Sequence, residues 1–128
     1  MTAQTPLQPG SFVDGPNATR GVDRGVLVIT PKGPSLSEAD AAGLLAEVST
    51  DVAAADGPVL LDMARVEYMS SAGISMLVQL REACGAASGT LALCGLASSL
   101  SSVLKTTRVD RLFTIAKTRD KALAKLGR

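Results

Sequence analysis

Residues 59–80 read VLLDMARVEYMSSAGISMLVQL, and this stretch decides the fold. The aliphatic run Val59–Met63 predicts a buried strand, since it is short, rich in large apolar residues and preceded by a Gly-Pro pair. After a loop come Ser70 and Ser71, and then apolar residues that recur at helical spacing as far as Cys84. The stretch therefore predicts a strand, a loop and a helix, with the two serines at the start of the helix.

The segments on either side repeat this alternation of strand and helix. Further strands are predicted at Val26–Thr30, Thr90–Cys94 and Arg111–Ala116, with a short edge strand near Ala18–Val22. Further helices are predicted from an N-cap at Ser37 to Ala55, over Leu96–Thr106, and over the terminal segment TRDKALAKLG, residues 118–127. This order predicts an α/β fold, in which a mixed, mostly parallel sheet of four to five strands is packed with about four helices.

The first 17 residues differ in composition from the rest of the chain. They carry Pro6, Pro9, Gly10, Gly15 and Pro16 and few large apolar side chains, which is typical of a mobile tail. We predict a flexible N-terminal tail over residues 1–17 and a single domain over residues 18–128.

The composition argues against several functions. The 128 residues include no histidine, so the chain cannot supply a Ser-His-Asp triad or a His-bearing zinc or iron site. Its 13 Lys plus Arg nearly balance its 12 Asp plus Glu, and aromatic residues are 2%, which argues against nucleic-acid binding. We expect no metal and no cofactor. Cys84 and Cys94 lie in apolar surroundings and are expected to be reduced thiols in the core.

The chain carries no signal for a membrane or for secretion. No stretch approaches the roughly 20 apolar residues of a membrane span. The first residues, MTAQTPLQPGSF, lack the charged and apolar regions of a secretory signal. The expected location is the cytoplasm, with no membrane partner.

The serine pair has two interpretations at this point. In the first, Ser70 and Ser71 are ordinary helix caps, whose hydroxyls accept hydrogen bonds from backbone N–H groups. In the second, one hydroxyl is phosphorylated, and its phosphate meets the positive end of the helix dipole. Gly73 costs about 1 kcal/mol of helix propensity relative to Ala, so it needs a reason, and the close approach of another backbone is a candidate.

The stretch 59–80 resembles the STAS-domain family, and more narrowly its stand-alone bacterial anti-sigma factor antagonists. Asp62 matches the acidic residue at the end of the family's strand, and Tyr68-Met69 matches its hydrophobic pair. Gly73 matches the family glycine, and the serine that the family phosphorylates stands two residues before it, which is Ser71 here. The resemblance covers roughly Val26 to Leu126, including LALCGLASSLSSVLKTTRVDRLFTIAKTRDKAL, residues 91–123.

Two departures from the family pattern remove negative charge around Ser71. Many members carry Asp where this chain has Ser70. The family's G-E-L-D sequence corresponds to Pro34-Ser35-Leu36-Ser37, so that Ser37 replaces an acidic residue. Ser70 is therefore a second candidate for phosphorylation.

The resemblance implies a partner switch and not an enzyme. The unphosphorylated protein binds a serine kinase that itself binds ATP and acts as the anti-sigma factor, so that sigma is released. Phosphorylation at Ser71 ends this binding, and a PP2C-type phosphatase restores it. The implied partner-binding residues are Tyr68, Met69, Ser70, Ala72, Gly73, Ser75 and Gln79. The protein is expected to be a monomer or weak dimer.

Two other functions stay open. One is a STAS scaffold, or an interaction subunit of a transporter or stress-signalling complex, that is never phosphorylated. The other is an esterase-like enzyme with Ser71 as nucleophile, against which the missing histidine and the absence of a G-x-S-x-G motif argue.

The remaining charged residues provide no motif for catalysis. Asp62 and Glu67 are interpreted as a strand-end residue and a solvated loop charge rather than an acid–base pair. Lys105, Arg108 and Arg111 form a basic cluster near the last predicted strand. This cluster is interpreted as a solvated face or, alternatively, as a contact with the partner.

Overall fold

The computed structural model describes residues 12–55, 57–87 and 90–127. These residues form, in chain order, β1 (Phe12–Asp14), β2 (Ala18–Asp23), β3 (Val26–Pro31), β4 (Ser35–Leu36), α1 (Glu38–Ala54), β5 (Val59–Asp62), β6 (Tyr68–Met69), α2 (Ser71–Ala87), β7 (Leu91–Cys94), α3 (Ser98–Thr106), β8 (Thr114–Ala116) and α4 (Arg119–Lys125). A short 3-10 helix, Val109–Leu112, lies between α3 and β8.

Six of the strands form one sheet in the order β1-β2-β3-β5-β7-β8. The pairs β1–β2 and β2–β3 are antiparallel, whereas β3–β5, β5–β7 and β7–β8 are parallel. The predicted α/β class, with a mixed and mostly parallel sheet and four helices, is confirmed. The sheet has more strands than the four to five predicted, because β1 adds an edge strand that the sequence pattern did not indicate. The prediction of an edge strand near Ala18–Val22 is therefore wrong about its position, since β2 lies between β1 and β3.

The central strands are buried on both faces, which explains why they are aliphatic without polar alternation. Successive residues of β3 and β5 point to opposite sides of the sheet. Leu27, Ile29 and Leu61 enter the larger core cluster, together with residues of α1, α2 and α3. Val28 and Leu60 enter a smaller cluster that α4 covers with Ala122 and Leu123. The sheet thus separates two cores of unequal size.

The start of α1 agrees with the sequence analysis. The Ser37 hydroxyl accepts a hydrogen bond from the Asp40 backbone N–H, and the Asp40 carboxylate accepts one from the Ser37 backbone N–H. This capping box satisfies two of the backbone donors that a helix start leaves without an internal partner. The predicted N-cap at Ser37 is confirmed.

Two segments differ from the predictions. Within the predicted tail, Phe12–Asp14 forms β1 and pairs with Thr19–Gly21, while residues 1–11 lie outside the described residues. The last strand begins at Thr114 and not at Arg111, because the preceding residues form the 3-10 helix. Arg108 adopts a left-handed conformation, φ 61°, where α3 ends and the 3-10 helix begins.

The two-stranded sheet of β4 and β6 was also missed, since two-residue strands leave no periodic pattern to detect. Across the described ranges, no helix is both long and apolar enough to cross a membrane.

Candidate functional site

The loop between β5 and α2 is held by the backbone of residues 34–36. The β4–β6 pairing sets Ser35 opposite Tyr68 and Leu36 opposite Met69. Beyond the strand, the Ser70 N–H donates to the Leu36 carbonyl at 3.0 Å, and the Tyr68 N–H donates to the Pro34 carbonyl at 3.2 Å. These bonds fix the path of the chain into α2.

Gly73 lies in the first turn of α2 and is buried. A Cβ atom at this position would overlap the Met69 Cγ atom and would lie 3.4 Å from the Leu36 carbonyl oxygen. Met69 itself is only 8% exposed and belongs to the larger core cluster. The close approach that the sequence analysis expected is therefore made mainly by a side chain, Met69, and not by another backbone.

Ser70 directly precedes α2. Its carbonyl accepts hydrogen bonds from the N–H groups of Gly73, at 2.9 Å, and Ile74, at 3.3 Å. Its hydroxyl oxygen is buried and has no hydrogen-bond partner. The interpretation of Ser70 as a side-chain helix cap is therefore wrong, since its hydroxyl accepts no bond from the first turn.

Ser71 is the first residue of α2 and is exposed. Ser75 and Gln79 follow at intervals of four residues and are also exposed, so the three side chains share one face of the helix. Tyr68, which is 63% exposed, lies at the end of the loop that leads to this face. We call these residues, Tyr68, Ser71, Ser75 and Gln79, the serine face.

The other predicted partner-binding residues lie deeper. Ser70 and Ala72 are half-buried, whereas Met69 and Gly73 are buried. The predicted residues thus lie in one region of the structure but differ in how deeply they are buried. Tyr68, Ser75 and Gln79 offer surface, and Met69 and Gly73 hold the loop in place.

The segment Pro34-Ser35-Leu36-Ser37 lies beside this loop, because β4 pairs with β6. Ser37 departs from the acidic family pattern, but its hydroxyl donates to the Asp40 carboxylate at 2.8 Å. The Asp40 carboxylate is therefore hydrogen-bonded to Ser37 as part of the capping box. No acidic residue stands in the first turn of α2 itself.

Asp62 lies at the carboxyl end of β5, where it contacts Arg119 at the start of α4. The Asp62 Oδ2 and Arg119 Nη2 atoms are 3.1 Å apart, and Asp62 Oδ1 accepts a hydrogen bond from the Ala64 N–H. Arg119 also lies 3.5 Å from the Thr30 hydroxyl at the end of β3. Arg119 was not predicted as a partner of Asp62, because the two residues are 57 positions apart in the chain and meet only in the folded sheet.

Both thiols are free and buried. Burial raises the pKa of Cys84 to about 11. Burial and, secondarily, the nearby Asp62 carboxylate raise the pKa of Cys94 to about 12. Neither thiol has the depressed pKa of a nucleophile. Within the part of the chain that the structure describes, no group of three His, Cys, Asp or Glu is placed to hold a metal ion.

The fold, with its serine at the start of a helix beside a buried mixed sheet, agrees with the comparison to known families. The family model of the STAS domain matches residues 18–122, which is most of the chain. The chain belongs to the STAS domain family. None of the curated proteins matches it in sequence.

Several solved structures are similar to this chain. An anti-sigma-factor antagonist (STAS) domain protein from Planctomyces limnophilus is 24% identical, with a TM-score of 0.77 over 85% of this chain and 96% of that one. An anti-sigma factor antagonist from Mycobacterium paratuberculosis is 21% identical, with a TM-score of 0.77 over 95% of this chain and 99% of that one.

The anti-sigma factor antagonist SpoIIAA in its unphosphorylated form is 19% identical, with a TM-score of 0.70 over 84% of this chain and 94% of that one. The phosphorylated form of SpoIIAA from Bacillus is also similar, with 18% identity and a TM-score of 0.62 over 84% and 97% of the two chains. At these identities, the similarity shows the shared fold.

Proposed function

We propose that this STAS domain is an anti-sigma factor antagonist that acts as a phosphorylation-dependent partner switch. In its unphosphorylated form it binds a serine kinase that also serves as the anti-sigma factor, and sigma is thereby released. The kinase then transfers the γ-phosphoryl group of its own ATP to Ser71, with loss of the hydroxyl proton, and the complex separates. A PP2C-type phosphatase hydrolyses the phosphoserine in the bacterial cytoplasm and restores binding.

The observation that carries this proposal is the contrast between the two adjacent serines. Ser71 is exposed at the first position of α2, so a kinase can reach it without moving the backbone. The Ser70 hydroxyl is buried, so its phosphorylation requires the loop to open. Of the two candidates, Ser71 is therefore the acceptor, and Ser70 supports the loop. The similarity to SpoIIAA, solved in both forms, agrees with a switch of this kind.

Phosphate at Ser71 is compatible with the folded domain. The N-terminus of α2 presents free backbone N–H groups and the positive end of the helix dipole, both of which stabilise an anion. No acidic residue in the first turn opposes it. The phosphate adds about −1.5 to −2 charges in the middle of the uncharged serine face. A partner surface that fits Ser71, Ser75 and Gln79 would meet this charge directly, and so the complex would be weakened without unfolding of the switch protein.

The first test is the site of phosphorylation. The protein is incubated with its cognate kinase-type anti-sigma factor and ATP, and the phosphate is located by mass spectrometry. We expect it on Ser71 in the wild type and in Ser70→Ala, and none in Ser71→Ala. Phosphate on Ser70, on another residue or on no residue would contradict the assignment.

The second test is the effect of charge on binding. Ser71→Asp should bind the kinase at least about tenfold more weakly than Ser71→Ala, since a charged group in a fitted interface costs more than about 1.4 kcal/mol. Ser75→Ala is a control that removes a hydroxyl from the same face without adding charge. Equal affinities of Ser71→Asp and Ser71→Ala would contradict the electrostatic mechanism.

A third test identifies the partners. Pull-downs from the native cell, with and without ATP, should recover the kinase-type anti-sigma factor, in larger amounts when ATP cannot be hydrolysed. Recovery of a transporter or of a large stress complex, independent of ATP, would instead support a scaffold.

A further inference from the structure

The Ser70 hydroxyl is buried without a partner, which is rare in a folded protein. Among the described residues, two buried side-chain atoms lack a hydrogen-bond partner, namely Ser70 Oγ and Arg20 Nε. Arg20 Nε lies 2.7 Å from a carboxylate oxygen of Asp51, with which it forms an ion pair. The Ser70 hydroxyl has no partner of either kind, and the burial of a hydroxyl in this state is unfavourable.

The backbone of Ser70 is fully hydrogen-bonded. Its N–H donates to the Leu36 carbonyl at 3.0 Å, and its carbonyl accepts from the N–H groups of Gly73 and Ile74. These bonds fix the backbone, whereas the side chain can still rotate about its Cα–Cβ bond among three staggered positions. The hydroxyl can therefore gain a partner without a change in the path of the loop.

The next residue, Ser71, is where such a partner can be created. It is exposed at the first position of α2, and no acidic residue stands in the first turn. Phosphorylation there adds three strong acceptor oxygens and about −1.5 to −2 charges. A serine directly before a helix can accept a hydrogen bond from a first-turn N–H and donate its own proton at the same time, because a hydroxyl is both acceptor and donor.

We propose that Ser70 holds the phosphate of phosphorylated Ser71 and so stabilises the phosphorylated form selectively. This inference rests on the proposed phosphorylation of Ser71. When Ser71 carries phosphate, the Ser70 side chain turns outward, its oxygen accepts a hydrogen bond from the first turn of α2, and its proton is donated to a phosphate oxygen. A hydrogen bond to a charged acceptor is stronger than one between neutral groups. The unpartnered hydroxyl of the unphosphorylated protein is thus a donor held in reserve for the phosphate.

Two opposite effects of Ser70→Ala follow. In the unphosphorylated protein the substitution removes an unpartnered hydroxyl, so the melting temperature should stay the same or rise. In the phosphorylated protein it removes a donor to the phosphate, so the melting temperature should fall by roughly 3–6 °C. A serine with a purely structural role would shift both forms in the same direction.

The test uses the full chain with serine or phosphoserine at position 71, the latter incorporated during synthesis so that no kinase is needed. Thermal unfolding, followed by circular dichroism, gives the melting temperature of each form in the wild type and in Ser70→Ala. Ser75→Ala is the matched control, since it removes an exposed hydroxyl one turn further along the helix, and it should shift both forms equally. Shifts of Ser70→Ala that are equal in the two forms would overturn the proposal.

A second measurement is the pKa of the phosphate itself, followed by phosphorus NMR as the pH is varied. The second pKa of a phosphoserine is ordinarily near 6, and a hydrogen bond donated to the dianion lowers it. We expect this pKa to be higher in Ser70→Ala than in the wild type by roughly 0.5, and to be unchanged in Ser75→Ala. The proposal requires both results, so equal pKa values in the wild type and in Ser70→Ala would also overturn it.

These outcomes are separate from those that test the partner switch. Because the phosphoserine is placed without the kinase, equal shifts would contradict the role of Ser70 and would leave Ser71 as the acceptor. If the kinase instead transfers no phosphate to Ser71, the partner switch is contradicted, and the melting temperatures still show whether Ser70 holds a phosphate at that position.

Discussion

The two faces of α2 differ in burial, since one packs in the core and the other is exposed. The inner face, with Met76, Leu77, Leu80 and Cys84, is at most 1% exposed and belongs to the larger core cluster. The outer face, with Ser71, Ser75, Gln79 and Glu82, is exposed and polar. Both faces are parts of the same 17-residue helix, Ser71–Ala87.

The separation of the two faces indicates where a charge can be added to the helix. Because the inner face anchors the helix in the core, the outer face can gain or lose a charge without loss of the fold. Gly73 packs against the Met69 side chain. This contact holds the first turn of α2, which begins at Ser71. The comparison predicts that substitutions on the inner face change stability, and that substitutions on the outer face change binding.

The largest expected effect on stability is that of Leu77→Ala. Leu77 is fully buried in the larger core cluster, so its truncation should lower the free energy of unfolding by about 3 kcal/mol through lost burial and a residual cavity. Glu82→Ala on the outer face is the matched control and should change it by less than about 0.5 kcal/mol. Urea denaturation measures both. Similar losses for the two variants would remove the distinction between the faces.

The next effect is that of Gly73→Ala. The added Cβ overlaps the Met69 side chain, and such overpacking should cost about 1–2 kcal/mol in spite of the better helix propensity of Ala. In a Met69→Ala background the overlap is gone, so the same change at Gly73 should be neutral or stabilising. A double-mutant cycle in urea measures this coupling. Additive effects of the two substitutions would show that Met69 is not the reason for the glycine.

A further effect, confined to alkaline pH, is expected from the buried Cys84 thiol. Burial raises its pKa from near 9.0 to about 11 in the folded protein. Above pH 9 the unfolded state therefore binds fewer protons than the folded state, and stability must fall as pH rises. The contribution of this thiol should be fully present below pH 9 and should decline by about 1.4 kcal/mol per pH unit up to about pH 11.

The measurement is the free energy of unfolding against pH for the wild type and for Cys84→Ala. The variant should lose stability less steeply over this range, whatever its stability at neutral pH. Parallel curves for the two proteins would contradict burial as the cause of the raised pKa.

The smallest effect on stability is expected for Gln79→Ala. Gln79 is exposed on the outer face, so the free energy of unfolding should change by less than about 0.5 kcal/mol. If the serine face is the docking surface, binding to the kinase-type anti-sigma factor should weaken by roughly fivefold, as measured by surface plasmon resonance. Unchanged binding would restrict the docking surface to the first turn of the helix and the loop before it.

Much of the fold could be predicted because it depends on local patterns. Aliphatic runs identified β3, β5 and β7, and Ser37 followed by acidic residues identified the start of α1. The strands β4 and β6 could not be predicted, since each has two residues and exists only because the other lies beside it. β1 was missed for a related reason, since it is exposed and is held by pairing with β2.

The basic residues show the same limit. Lys105 was predicted to form a basic cluster with Arg108 and Arg111, which are its neighbours along the chain. In the structure, Lys105 instead lies near Lys117, which follows β8, and near Lys121 and Lys125 of α4. The positions of these residues in the chain show that the segment is basic, but they do not show which way its side chains face.

From the sequence alone follow the order of the longer strands and of the helices, the exclusion of histidine chemistry, and the position of Ser71 two residues before Gly73. These features follow from periodicity, composition and spacing, which are local. Only the packing of the folded chain shows that the Ser70 hydroxyl is buried while Ser71 is exposed, and that Lys105 lies near lysines of α4. Burial and the grouping of charged side chains depend on how distant segments pack. Adjacent residues of a helix also point in directions that differ by about 100°.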